Sequence, residues 1–453
     1  MFRRVLVANR GEVAVRVIRT CRELGVETVA VYSEADRESL HVKLADRAIC
    51  IGGVRAADSY LKVPAILTAA EVSGADAIHP GFGFLSENAH FAEVCGQCGL
   101  EWIGPRAEVI RSMGDKSEAR RMMRAAGVPV TPGSEGVLGG EDEALAVARK
   151  LGFPVLVKAV AGGGGKGMRV ARNEAELRAG LKTASEEAQR AFGNGDCYLE
   201  KLVARARHVE VQLVADRHGH VYAAGERDCS LQRRHQKLVE ETPSPGVTPA
   251  RRKKLLQAAV RAGEACGLDS VATIEFLWDA EVEAFYFMEM NTRIQVEHPI
   301  SEEVTGLDLV EAQLRAAAGE ELAAAEWSVA PRGHCIEVRL NAEDATRNFA
   351  PSPGRITRLR WPGGPGVRVD SHAYEGYSIP PYYDSMIGKL IVRGRTRGEA
   401  IRRARRALGE LEVEGVATTA GLAAALLADA RFAKGAYDTG FLERFVAETY
   451  AEG

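Results

Sequence analysis

The chain is 453 residues long, 46% hydrophobic and 27% charged, with a formal charge of −3 and eight cysteines. That length supports a large buried core split over several domains, and the small charge offers no attraction to a polyanion such as nucleic acid. No apolar run is long enough to span a bilayer, and the scattered cysteines lack disulfide-framework spacing, so a cytoplasmic, reducing location is expected.

In chain order, residues 4–8 read as a buried strand and Asn9-Arg10-Gly11-Glu12 as a turn. A helix follows, with Val13, Val17, Cys21 and Leu24 on one face. Residues 27–32, 47–51 and 75–79 read as further strands, and 63–72 as a helix between the last two. Repeated βα units predict a parallel sheet covered on both faces. No G-x-G-x-x-G closes the first strand, so a dinucleotide site is unsupported. The turn formers at 79–88 follow a strand's carboxyl end, where open α/β sheets place ligands. Cys95 and Cys98 form a lone C-x-x-C, expected to pack in a helix rather than bind zinc.

A Pro/Gly stretch at 127–133 reads as a boundary. Beyond it a strand-like run at 153–159 leads into Gly162-Gly163-Gly164-Gly165-Lys166-Gly167, and Met168-Arg169-Val170 leads out. Backbone without Cβ atoms can turn successive N–H groups onto phosphate oxygens, and Lys158 and Lys166 add cations. Strands on both sides favour a lid over a triphosphate rather than a linker. Gly167, not Ser or Thr, follows Lys166, so the P-loop template fails. From residue 208 the pattern alternates: Val209, Val211 and Leu213 against His208, Glu210 and Gln212. This half is predicted to be antiparallel β with helices.

Residues 271–278 and 284–290 read as two strands joined by a polar turn. Period two is expected to place Phe287, Glu289 and Asn291 on one face and Met288 and Met290 on the other. Glu275 sits between Ile274 and Phe276. Carboxylates within apolar strands are costly unless paired or metal-bound, and three oxygen donors on one hairpin suit Mg²⁺ shared with phosphates. Arg293, Gln295 and Glu297 alternate and are expected to project together: an oxyanion clamp, an amide and a carboxylate base. A second cationic set is expected at Gln232-Arg233-Arg234-His235-Gln236-Lys237, and His298 is expected to be structural. Residues 396–408 predict a helix whose arginines at 402, 403, 405 and 406 form a solvated face, without the aromatics of a nucleic-acid site.

Taken together, the strings at 9–12, 79–88, 162–169, 226–237, 288–299 and 380–386 resemble the biotin carboxylases, an ATP-grasp family, over about residues 1–446. The resemblance implies an α/β and α+β multidomain chain. A Rossmann-like N-terminal domain would occupy 1–113, a linker 114–130, and an ATP-grasp lid subdomain 131–203. The ATP-grasp core and a mixed antiparallel C-terminal domain would occupy 204–447. Lys116, Lys158, His208, Gln232, His235 and Glu275 would bind ATP, with Gly164 and Gly165 over its phosphates. The hinge Glu200-Lys201-Leu202-Val203 would hold adenine. Glu275, Glu289 and Asn291 would hold two Mg²⁺ or Mn²⁺ ions. Lys237, Arg293, Gln295 and Val296 would position bicarbonate, Glu297 would remove its proton, and Arg339 would stabilise the biotin anion.

The implied reaction is ATP- and bicarbonate-dependent carboxylation of biotin through carboxyphosphate. Biotin acceptor domains resemble one another in a Met-Lys-Met core, and no methionine here precedes a lysine. The biotin is therefore expected on a separate carrier protein, and no carboxyltransferase-sized segment follows. A stand-alone, homodimeric subunit of acetyl-CoA carboxylase, working with carboxyltransferase subunits, is the expectation. Arg19 and Glu23 match dimer-contact positions of some relatives, although an i, i+4 surface pair explains them equally. Two departures stand out: Phe82 replaces a frequent Tyr, and Leu202 a frequent hinge Tyr. The Arg293–Glu297 arrangement and Arg339 argue against another ATP-grasp ligase, and a silent nucleotide-binding subunit would have lost a base or a metal ligand.

Overall fold

The structure is a computed structural model that describes residues 1–160, 167–203, 205–234 and 236–449. Its first apolar runs pair side by side. β1 (Arg4–Val7), β2 (Glu27–Ser33), β3 (Arg47–Gly52), β4 (Ala77–His79) and β5 (Glu101–Trp102) form a parallel sheet ordered β3-β2-β1-β4-β5. Leu6 packs with Val29, Val31 and Ile78 on one face, Val5 and Val7 with Val13 and Val17 on the other. Both faces of β1 are thus apolar, as the βα alternation predicts. Helix α1 (Gly11–Glu23) buries Val13, Val17 and Cys21 and leaves Arg19 and Glu23 exposed. Among the described residues no ion pair joins these two, so mutual pairing does not account for them. Cys95 is buried in the helix Ala89–Gln97, and the exposed Cys98 caps its end.

A small antiparallel sheet comes next, with β6 (Val155–Ala159) between β7 (Met168–Ala171) and β8 (Cys197–Lys201). The helices Glu141–Leu151 and Glu174–Phe192 cover it, burying Leu145, Ala148 and Leu177 against Val155 and Val157. The strands β6 and β7 flank the glycine run as expected. Gly164, Gly165 and Lys166 lie outside the described residues, as does His235.

The third sheet has eight antiparallel strands. β9 (Ala206–Ala215), β10 (Val221–Arg233), β11 (Gln236–Thr242), β12 (Ala272–Asp279), β13 (Ala284–Asn291) and β14 (His334–Asn341) run in the order β13-β12-β9-β10-β11-β14. The strands Met386–Gly394 and Val367–Ser371 complete it. Val209, Val211 and Leu213 pack with Ile274, Phe276 and the helix Pro249–Ala265. His208, Glu210 and Gln212 occupy the opposite face, yet they too are buried. The solvated helix near the end spans Arg397–Glu410, with Arg402 and Arg405 exposed.

The expected alternation on β13 fails at one point. Glu275 pairs with Glu289, but Phe276 pairs with Phe287, which leaves Met288 as an extra residue. Such a bulge shifts the side-chain phase by one residue. Phe287 therefore joins Met290 in the apolar core, whereas Met288 joins Glu289 and Asn291 on a cavity wall.

Polar side chains tie the first sheet to the last third of the chain. Arg10 donates to both oxygens of Asp36, at 2.7 and 2.8 Å, and Tyr60 donates to the same carboxylate at 2.7 Å. The guanidinium also lies 4.1 Å from the ring centre of Tyr383, whose hydroxyl donates to the Val54 carbonyl. Burial alone would raise Asp36; Arg10 overcomes it and holds the carboxyl at about 2.

Candidate active site

The buried polar face of the large sheet borders two joined cavities. One, of about 500 Å³, is lined by Lys116, Lys158, His208, Gln232, Glu275, Glu289, Asn291, Arg293 and Gln295 among others. The other, of about 740 Å³, reaches toward Arg10, His372 and Tyr383. Phe82, Gly83, Gln236, Lys237, Val296 and Arg339 line both. The 79–88 loop thus meets the large sheet at the carboxyl end of β4, where parallel sheets present ligands.

Lys237 is the centre of the charge arrangement. Near the start of β11, its ammonium lies 2.7 Å from Glu210, 3.1 Å from Glu275 and 2.6 Å from Glu297. Burial would lower its pKa, but these three carboxylates raise it well above the ordinary lysine value. Glu297 is fully buried, and its second oxygen accepts from Arg339 at 2.9 Å. Burial would raise Glu297; Lys237, Arg339 and Arg227 together hold it well below the usual carboxylate range. Glu275 is held low in the same way, against burial, by Lys237 and by His208 at 3.1 Å.

The Arg293–Glu297 stretch forms a loop rather than a strand, with Arg293 and Gln295 on the cavity wall and Glu297 buried against Lys237. Ile294 turns into the apolar core, and its neighbours face the cavity. Arg293 donates to Glu87 at 2.9 Å, to Asn291 at 2.9 Å and to Gln295 at 3.0 Å. Gln295 donates to Glu275 at 3.3 Å. His298 is buried, bonds the Gln295 carbonyl through Nδ1 and lies away from the cavity wall, a structural position.

The second cationic set divides. β10 and β11 meet in a tight turn with Arg234 at φ 47°, so consecutive side chains separate. Arg233 packs over the Phe349 ring and donates to Asn348, and Arg234 is exposed. Of the described members only Gln232, Gln236 and Lys237 line the cavity.

The hinge residues also stand apart from the cavity wall, and their polar groups are bonded elsewhere. Glu200 accepts from Arg120 and lies 2.5 Å from Lys158. The N–H of Lys201 donates to the Pro132 carbonyl at 2.7 Å, and that of Leu202 to Pro154 at 3.3 Å. Val203 is half-buried. Apolar lining on this side comes instead from Met168, Tyr198 and Met288, which sequence reasoning did not single out.

It also missed the layer beneath the site. Arg227 has no exposed surface and donates to Glu210 at 2.5 Å, Gln212 at 2.6 Å, Ser301 at 3.0 Å and Thr273 at 3.1 Å. It thereby fixes the carboxylate that grips Lys237. Glu240 accepts from Arg339 at 2.7 Å, and its burial pushes it up to about 7. Strict alternation on β9 carried a signal for Glu210; nothing in the local pattern marked Glu240.

The oxygen donors suit a divalent cation. Glu275 and Glu289 are direct cross-strand partners, and Glu289 is pushed up by burial and then by Glu275. The buried amide nitrogen of Asn291 has no partner. Two carboxylates and an amide oxygen, with Lys116 3.9 Å from Glu289, form a hard-ligand set that Mg²⁺ or Mn²⁺ would satisfy.

A small two-layer unit beside a large antiparallel sheet, with cations and hard oxygen donors between them, defines an ATP-grasp enzyme. Family models narrow the class. Residues 1–110 match the biotin carboxylase N-terminal domain, 115–325 the ATP-binding domain of the carbamoyl-phosphate synthase L chain, and 337–444 the biotin carboxylase C-terminal domain. Biotin carboxylase 1 of Bacillus subtilis is 53% identical over 445 residues, 98% of this chain and 99% of that protein. The biotin carboxylase–beta-gamma-ATP complex from Campylobacter jejuni has a TM-score of 0.94 at 47% identity, covering 98% of this chain and 99% of that one. The biotin carboxylase domain dimer of Hydrogenobacter thermophilus 2-oxoglutarate carboxylase, in complex with MgADP, ADP and bicarbonate, has a TM-score of 0.93 at 48% identity, covering 98% of each. The chain belongs to the biotin carboxylase family of ATP-dependent carboxylases.

Proposed function

We propose that this chain uses ATP and bicarbonate to carboxylate biotin borne on a separate carrier protein, the first half-reaction of acetyl-CoA carboxylase. The observation that carries this reading is Lys237, whose ammonium touches both Glu275 on the metal-donor side and Glu297 on the base side. One cavity thereby joins a nucleotide's terminal phosphate to an inorganic-carbon site.

In this reading Lys116, Lys158, His208 and Gln232 bind the nucleotide, joined by His235, Gly164 and Gly165. Adenine would reach Glu200, Lys201, Leu202 and Val203 once their present partners yield. Glu275, Glu289 and Asn291 would hold the divalent ions, which would neutralise charge on the triphosphate. Lys237, Arg293, Gln295 and the backbone of Val296 clamp bicarbonate. An anion entering between these cations competes with Glu297 for them and so raises its basicity. Glu297 takes the bicarbonate proton, and the freed oxygen attacks the γ-phosphorus with ADP as leaving group. Carboxyphosphate then breaks into CO₂ and phosphate, phosphate takes the proton of biotin N1, and Arg339 holds the resulting anion beside CO₂.

No helix among the described residues is long and apolar enough to cross a membrane. We read the enzyme as a cytoplasmic homodimer that works with carrier and carboxyltransferase subunits. The exposed Arg19 and Glu23 on α1 are available to such a dimer.

The test is ATP cleavage by the purified chain with Mg²⁺, with and without bicarbonate, followed by carboxylation of free biotin. Cleavage should depend on bicarbonate and rise with biotin. Cleavage indifferent to bicarbonate would overturn the reading.

A further inference from the structure

Lys389 has no exposed surface, yet it brings a charge into the interior. It lies on the strand Met386–Gly394, directly across from Arg339 on β14. Its ammonium donates to the carbonyl of Val296 at 2.7 Å and stands 3.0 Å from Glu12 in the first turn of α1. Glu12 is also buried, and beyond this ion pair neither of its oxygens has a hydrogen-bond partner among the described residues.

A buried ion pair stabilises a fold weakly, because desolvation of both ions offsets most of their attraction. Two apolar side chains would fill the same space at less cost. What the ammonium does, and an apolar group cannot, is anchor a carbonyl. The next carbonyl back is anchored too, since His298 Nδ1 bonds Gln295 O at 2.7 Å. In a trans peptide the N–H leaves opposite the C=O. Two anchored carbonyls therefore turn the N–H groups of Val296 and Glu297 away from the interior, and Val296 borders both cavities.

We propose that Lys389, held by Glu12, is a positioning residue for the inorganic-carbon site. It pins the Val296 carbonyl and so presets the backbone that carries Glu297. This inference rests on the reading of Val296 and Glu297 given above.

The test is the double variant Lys389→Met/Glu12→Gln, which removes both ions of the pair together, alongside Glu12→Gln alone. Bicarbonate-dependent ATP cleavage, MgADP affinity by calorimetry and thermal midpoint are measured on the full chain. The double variant should raise the bicarbonate KM about tenfold or more while MgADP affinity stays within about twofold. Glu12→Gln alone, which keeps the carbonyl donor, should raise that KM less. A folded double variant with an unchanged bicarbonate KM would overturn the proposal. So would MgADP affinity falling in step with bicarbonate, the mark of a merely structural pair. Wild-type cleavage indifferent to bicarbonate would instead remove the proposed function itself.

Discussion

β1 and β9 are both inner strands with buried side chains on either face, yet they bury different things. β1 sends Leu6 to one face and Val5 and Val7 to the other, and its one charge, Arg4 at the strand's start, pairs with Glu27 on β2. β9 sends Val209, Val211 and Leu213 into an apolar core, while His208, Glu210 and Gln212 enter a layer of ions that is just as dry. Apolar burial on both faces stabilises. Burying ions costs free energy unless each is matched, and here each match involves another strand: Glu210 with Arg227 and Lys237, Glu275 with His208 and Lys237. Depth alone does not separate the structural sheet from the reactive one; the residue type on the second face does.

Changes on the ionic face should therefore reach the chemistry as well as the fold. The largest effect is expected from Glu297→Gln, which should lower bicarbonate-dependent ATP cleavage by about 10³-fold while MgATP still binds, checked by phosphate release and calorimetry. Arg339→Met should come next, cutting biotin carboxylation by about 10²-fold while ATP cleavage falls less, read by ¹⁴C transfer from bicarbonate to free biotin.

Lys237→Ala should raise the bicarbonate KM by about 10-fold or more and cost about 3 kcal/mol of stability, since three carboxylates lose their cation. Because Lys237 helps hold Glu297 low, its removal should also move the acid limb of the rate profile to higher pH. A limb that stays in place would break the assignment of Glu297 as the base.

The first sheet offers the contrasting case. Asp36 is depressed from 3.8 to about 2 in the fold, so its stabilising contribution is complete above pH 3.8 and lost as pH falls through about 2. Asp36→Asn should remove about 2 kcal/mol of that acid-dependent stability, measured by urea unfolding at several pH values. Arg402→Gln, on the exposed face of the Arg397–Glu410 helix, should change stability by less than about 0.5 kcal/mol.

Much of this was legible without coordinates. The 3.6-residue spacing of Val13, Val17 and Cys21 marked α1, and the alternation after His208 marked β9. The 291–299 string put Arg293 and Gln295 on one cavity wall, with Glu297 buried against Lys237, which lines that wall. Other features were not legible, for identifiable reasons. One inserted residue at Met288 reversed the phase of β13, because a bulge leaves no mark in an apolar run. The 232–237 set read as one cationic cluster, but a tight turn sent Arg233 to Phe349, and of its described members Lys237 is the cation among the carboxylates. Glu240 gave no local sign, since its partner Arg339 lies on the adjacent strand β14.

The amino-acid sequence alone determined the succession of elements and the chemical types available to the site, because periodicity and side-chain pKa belong to short segments. Which of those charges face one another was decided only when six β-strands from distant stretches aligned. Coulomb and desolvation energies depend on separation and depth, and neither exists until the chain has closed.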